Sequence, residues 1–258
     1  MANLPMAQAE RVAPSPARPA GFGVTQRRDA WWVEWLGVVI GLGVLGGYAT
    51  FAAFEGYERH HWGPYLSPFY SPEFLLIQGY FFPSAIIALS SVAGFRGTCY
   101  YYRKAYYRAF FADPPGCAVG EARKGYAGET RFPWLVQNLH RYFLYIALLA
   151  LALLWYDVGH AFFSWQGGFG VGVGSLLLLV NVILLTGYTL GCHSLRHIVG
   201  GRSDCFSCAK GQAKAWGVAT LFNTKHMQWA WASLFSVCAT DLYIRLCATN
   251  VITDWRIL

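Results

Sequence analysis

The sequence predicts an all-α fold: a polytopic membrane helix bundle with five transmembrane helices, the N-terminus cytoplasmic and the C-terminus outside. Three observations carry this. Of 258 residues, 55% are apolar and only 13% are charged, against about 25% charged in an ordinary soluble domain, and the mean hydropathy is +0.33. The apolar residues gather in blocks of the ~20 residues that a helix needs to cross ~30 Å of hydrocarbon. The basic residues lie between those blocks, so the net charge of +7 reads as orientation in a membrane, with no nucleic-acid partner implied.

Residues 1–28 hold Pro5, Pro14, Pro16 and Pro19 with Arg11, Arg18, Arg27 and Arg28 and no apolar run, so they offer no signal-peptide core. Residues 1–30 are expected to be a disordered cytoplasmic tail. The membrane domain follows over 31–250, with helices expected at 31–54, 74–95, 138–163, 171–193 and 226–248, and 251–258 form a short C-terminal tail. Loop 55–73 places Pro64, Pro68 and Pro72 among Tyr57, Trp62, Tyr65, Phe69 and Tyr70, which predicts a stiff aromatic outer cap and not a helix. Residues 96–111 interleave five tyrosines with Arg103, Lys104 and Arg108. They fit an interfacial helix that ends before Asp113-Pro114-Pro115-Gly116, or a docking surface for a soluble partner. Gly167, Gly168, Gly170, Gly172 and Gly174 open the fourth span and allow close helix approach. Asp241 and Arg245 interrupt the fifth span, and their i,i+4 spacing predicts a mutual structural pair. With this topology 17 of the 20 Lys and Arg residues fall on the cytoplasmic side, leaving Arg59, Arg245 and Arg256 outside, as the positive-inside rule asks. The absence of an internal repeat argues against a transporter.

The densest chemical constellation lies at the cytoplasmic end of the fourth span: Cys192, His193 and His197, then Cys205 and Cys208. His193 and His197 share a helix face, and Cys205 and Cys208 have the C-x-x-C spacing that closes a chelate. On a reducing face such thiols are free, catalytic or metal-bound in preference to disulfide-bonded. The expected ligand set is therefore Cys205, Cys208, His193 and His197. Two thiolates and two imidazoles suit tetrahedral zinc or a Rieske-type [2Fe-2S] cluster, and spacing alone does not separate them. Without a metal, these are buried reduced cysteines and helix-end histidines. Cys99, Cys117, Cys238 and Cys247 have no close partner in sequence and read as structural. A third arrangement uses haem: an inner group on His140, His193 or His226, and an outer one on His160 with His60 or His61. Asp157, one turn from His160, offers that ring a simpler partner.

Several stretches resemble one family. Pro64-Tyr65-Leu66-Ser67-Pro68-Phe69-Tyr70-Ser71-Pro72, Arg96-Gly97-Thr98-Cys99-Tyr100-Tyr101-Tyr102-Arg103-Lys104, Asn138-Leu139-His140-Arg141-Tyr142-Phe143, the Cys192 to Cys208 segment and Lys225-His226-Met227 are similar to the five-helix membrane-anchor subunit of the actinobacterial type of succinate dehydrogenase. The resemblance runs from about residue 30 to 250. It implies a plasma-membrane anchor, not catalytic alone, that holds a flavoprotein and an iron-sulfur subunit on the cytoplasmic face and delivers electrons from succinate to menaquinone or ubiquinone. It also implies a metal centre, since some members carry a Rieske-type [2Fe-2S] cluster where relatives carry haem b. A quinone needs an apolar slot with a few polar groups, for which His140, Arg141, His226 and Trp229 are the candidates. The competing readings are a dihaem cytochrome b anchor and a non-redox membrane scaffold clipped by zinc.

Overall fold

The computed structural model describes residues 21–54, 60–71, 93–122, 130–132, 134–165, 168–201 and 203–258. The second expected span, 74–95, lies outside these apart from its last three residues, as do residues 1–20. Residues 93–98 are helical. Seven further α-helices follow the chain: α1 (Trp31–Phe54), α2 (Tyr100–Phe111), α3 (His140–Phe163), α4 (Val173–Leu190), α5 (His193–Gly200), α6 (Lys210–Thr224) and α7 (His226–Ala248). A 3-10 turn, Trp134–Leu139, leads into α3.

Three helical segments among the described residues are long and apolar enough to cross a membrane: Trp31–Phe54, Leu135–Phe163 and Val173–Leu190. The 23 residues of α7 have the length, about 34 Å at 1.5 Å per residue, but they carry Asp241 and Arg245. Val33, Ile40 and Val44 on α1, Leu149 on α3 and Val180 and Ile183 on α4 are exposed. In water such faces would be interaction or aggregation surfaces; against acyl chains they are solvated.

The helices α1, α3 and α7 run from one end of the bundle, where α2, α5 and α6 lie, to an opposite end closed by the cap, and α4 returns. We call these the basic end and the cap end. The helix α4 packs most extensively on α7 and then on α3, while α5 pairs with α6 and α1 with α2. At the cap end, β1 (His61–Trp62) and β2 (Tyr65–Leu66) form a hairpin with His61 opposite Leu66. Its two-residue turn begins at Gly63 with φ +53°, the conformation that makes glycine the residue for this position. The expected cap is thus a hairpin, and Leu66, Phe69 and Tyr70 bury against Leu45, Ala52, Val237 and Cys238.

The expected pair inside α7 is present. Arg245 Nε donates to Asp241 at 2.7 Å, and the carboxylate also accepts from the hydroxyls of Tyr48 at 2.5 Å and of Ser67. A second acid, Asp254 of the C-terminal segment, accepts from Tyr65 at 2.8 Å, Tyr243 at 2.7 Å and the Gly174 amide at 3.0 Å. A Cβ on Gly174 would enter the Tyr65 ring, so the close approach at this glycine is to the cap hairpin, where an approach of helices was expected. The tail 251–258 is tied in: the Val173 amide donates to Trp255 O at 3.1 Å and that of Ile257 to Val171 O at 2.7 Å.

Residues 21–30 differ from the expectation of a disordered tail. The Gly120 amide donates to Val24 O at 2.8 Å, and Arg27 Nη1 to Cys117 O at 2.9 Å. Backbone pairing of this kind needs no apolar side chains, so hydropathy carries no trace of it. The helix α2 ends as expected: Ala112, left-handed at φ +50°, closes it before Asp113 and Pro114.

Candidate functional site

At the basic end four chain segments meet: the turn after residues 93–98, the first turn of α3, the turn between α4 and α5, and the first turn of α7. Each contributes one cysteine or histidine side chain, of the types that can ligate a metal. Cys99 Sγ lies 3.4 Å from His226 Nε2, and Cys192 Sγ lies 3.2 Å from His140 Nε2. Cys99, His140 and Cys192 are 3%, 4% and 1% exposed.

Aromatic rings wall the group. Phe95 stacks on His140, with centroids 4.9 Å apart and planes within 5°, and Tyr188 stacks on His226 at 5.0 Å. The other nitrogen of His140, Nδ1, is held by Thr98 Oγ1 at 2.8 Å. A partner of this kind sets the tautomer and aim of a ligating imidazole. His226 Nδ1 and the Tyr188 hydroxyl are buried with no hydrogen-bond partner. Buried polar atoms are rarely left so, and two of them together mark a place where a bound group would find partners.

The ligands expected from sequence lie elsewhere. Cys205 and Cys208 sit in the exposed α5–α6 loop, joined to each other by a disulfide with Cα atoms 5.4 Å apart, where thiolates available to a metal were expected. Phe206 anchors that loop on Trp216, with centroids 5.3 Å apart. His193 and His197 are exposed on α5, and His197 Nδ1 meets Arg141 at 3.1 Å. Among the described residues, no group of three or more His, Cys, Asp or Glu side chains is placed to hold a metal ion, and the four residues above meet as two Cys–His pairs. The haem arrangement is not assembled at the cap end either. His60 is buried in a stack on Tyr70 at 3.9 Å, His160 is exposed on α3, and Asp157 accepts from Ser71.

A model of the actinobacterial succinate dehydrogenase subunit SdhC matches residues 33–250. The chain belongs to this family. It is therefore a membrane-anchor subunit of succinate dehydrogenase, a multi-pass membrane protein that is not catalytic by itself. Among solved structures it is similar to a chain of the Mycobacterium smegmatis Sdh1 complex in the apo form, at 41% identity and a TM-score of 0.84, over 97% of this chain and 98% of that one. No curated protein matches the sequence.

Of the residues expected at a quinone in this SdhC chain, His140 and His226 belong to the four-residue group. Trp229, one turn beyond His226, packs where a Cβ on Gly187 would sit and has a buried Nε1 with no partner. An apolar cavity next to the group is lined by Phe95, Leu151, Leu185, Tyr188, Val237 and the guanidinium-bearing Arg96. Sequence reasoning read Cys99 as structural and Arg96 as one of the basic residues of the cytoplasmic side, and placed neither at this group. The signal available was depth: residues 99, 140, 192 and 226 each stand at the basic-end terminus of a different apolar block.

Proposed function

We propose that this SdhC chain holds a redox centre on Cys99, Cys192, His140 and His226 at the cytoplasmic end of a five-span bundle, and offers a quinone site beside it. The observation that carries the reading is the pairing of two buried thiols with two imidazole nitrogens, drawn from four separate segments. The donor set fits a Rieske-type [2Fe-2S] group, which takes two cysteines and two histidines. Such a group would supply a one-electron carrier between a soluble iron-sulfur subunit and quinone.

The chain's own residues do the rest. Thr98 orients His140. Phe95 and Tyr188 cover one face of each imidazole with a flat aromatic ring that helps keep water out. The buried indole N–H of Trp229 is a donor suited to a quinone carbonyl, and Arg141 at the interface is a second. The tyrosine-rich, basic α2 and the α5–α6 hairpin offer the flavoprotein and iron-sulfur subunits a positive docking face. The 17-to-3 division of basic residues supports that orientation, with the N-terminus inside and the C-terminus outside.

The test compares ligand variants in the assembled complex. Cys99→Ser and Cys192→Ser exchange a soft thiolate for a poor ligand and are expected to abolish a rhombic Rieske-like EPR signal and to lower iron content. Cys208→Ser is expected to leave both intact. The reverse pattern would return the site to Cys205, Cys208, His193 and His197. A haem band, or EPR silence with stoichiometric zinc, would replace the cluster by one of the competing readings.

A further inference from the structure

The most conspicuous charge at the basic end is one that the proposed site does not use as a ligand. Arg96 is 9% exposed, and its hydrogen bonds all go to uncharged oxygens: Nη1 donates to the Tyr102 hydroxyl at 2.8 Å and to Ala230 O at 3.2 Å, and Nη2 donates to Ser233 Oγ at 2.9 Å. Among the described residues no carboxylate stands within ion-pair distance of it. Its counterpart at the cap end, Arg245, is as deeply buried but lies against Asp241.

A buried cation without a counter-charge is costly, and its cost is ordinarily relieved by a paired anion. Holding α7 by its Ala230 carbonyl and Ser233 hydroxyl would need donors, not a charge. The surroundings say where the missing negative charge belongs. The guanidinium lies 4.6 Å from the Tyr188 ring centroid, and the same ring stacks on His226. Cys99 follows one turn later, its amide donating to Arg96 O at 3.1 Å. Arg96 is thus within about 10 Å of the His226 ring, close enough for Coulomb energy in a protein interior to matter.

We infer that Arg96 is a positioning charge for the redox centre: its unneutralised guanidinium favours the reduced state and so raises the centre's reduction potential. The inference rests on the site proposed above. In a two-thiolate, two-imidazole [2Fe-2S] group, two thiolates and two bridging sulfides balance two ferric ions. One electron donated by the iron-sulfur subunit therefore adds one uncompensated negative charge. A cation fixed nearby in a low-dielectric medium stabilises that charge without having to reorganise. The effect on the potential is electrostatic, so it follows the charge at position 96 and not the shape of the side chain.

The experiment is an EPR-monitored redox titration of the intact complex. Arg96→Gln removes the charge and keeps a donor. At about 10 Å and an effective dielectric of about 20, this should weaken reduction roughly tenfold, a downward shift of about 59 mV for a one-electron couple. Arg96→Lys keeps the charge and should hold the midpoint within about a third of that shift. Ser233→Asp leaves Arg96 and its clamp in place and sets a carboxylate against the guanidinium, so it should lower the midpoint in the same direction; this variant decides the matter if Arg96→Gln fails to assemble. An unmoved midpoint in Ser233→Asp overturns the inference, as does a shift in Arg96→Lys equal to that in Arg96→Gln. A wild-type complex with no such EPR signal is a different failure, that of the site itself.

Discussion

Removing Asp241 leaves the charge of Arg245 alone inside the bundle, and the geometry sets the size of the penalty. Asp241 is fully buried and Arg245 is 6% exposed. Breaking a buried ion pair from one side costs ~3–5 kcal/mol, because the surviving charge is uncompensated. Asp241→Ala also strands the hydroxyls of Tyr48 and Ser67, while Arg245 keeps its bond to Ala52 O at 2.8 Å and the flank of Tyr70. These corrections oppose each other, so about 4 kcal/mol is the working value, a fall of roughly 10 °C in the unfolding midpoint for a chain of this size. Asp241→Leu combined with Arg245→Met removes both charges and leaves none uncompensated, so the pair should be destabilised less than Asp241→Ala alone. Thermal unfolding of wild type, Asp241→Leu, Arg245→Met and the double variant in one detergent closes the cycle. Additive losses in the double variant would refute the argument that the pair, and not the separate side chains, holds α7 to the cap.

Three of the expected spans, the cap and the α7 ion pair were legible because each depends on residues close together in sequence. A block such as 31–54 has the length and apolarity of a crossing wherever its neighbours lie, and i,i+4 charges face each other in any helix. The buried Cys/His group depends on relations that spacing does not encode. Cys99, His140, Cys192 and His226 come from four segments and meet only because their helices end at one depth with the right faces turned inward. Hydropathy reports depth; the rotation of each helix is set by packing, here of Phe95, Tyr102, Leu144 and Tyr188. Local spacing instead directs attention to Cys205 and Cys208, whose C-x-x-C separation suits a chelate and a disulfide alike. Arg96 is hidden for a related reason. In sequence it is one more basic residue on the positive side, and only its burial without an acid sets it apart from those that face water.

Topology is tested by impermeant thiol labelling in a background with native cysteines replaced. His61→Cys, on the cap hairpin, should label from outside, and Ala122→Cys, at the basic end, only from the cytoplasm; labelling of both from one side rules out the five-span arrangement. The contact between α4 and α7 gives a sharper test, because Gly187 has no room for even a single added methyl group. A Cβ there would stand 2.6 Å from carbons of the Trp229 indole, so Gly187→Ala must push the ring or part the helices at a cost of ~1–3 kcal/mol. The Trp229 N–H would then leave its position, and the KM for quinone should rise while the Cys192-dependent EPR signal persists, since neither sulfur nor imidazole has been altered. Gly217→Ala on α6 meets nothing within 4 Å and is the neutral comparison. If Gly187→Ala leaves both quinone kinetics and the unfolding midpoint at wild-type values, Trp229 is not held by that contact, and its unpartnered N–H gives no reason to put the quinone beside it.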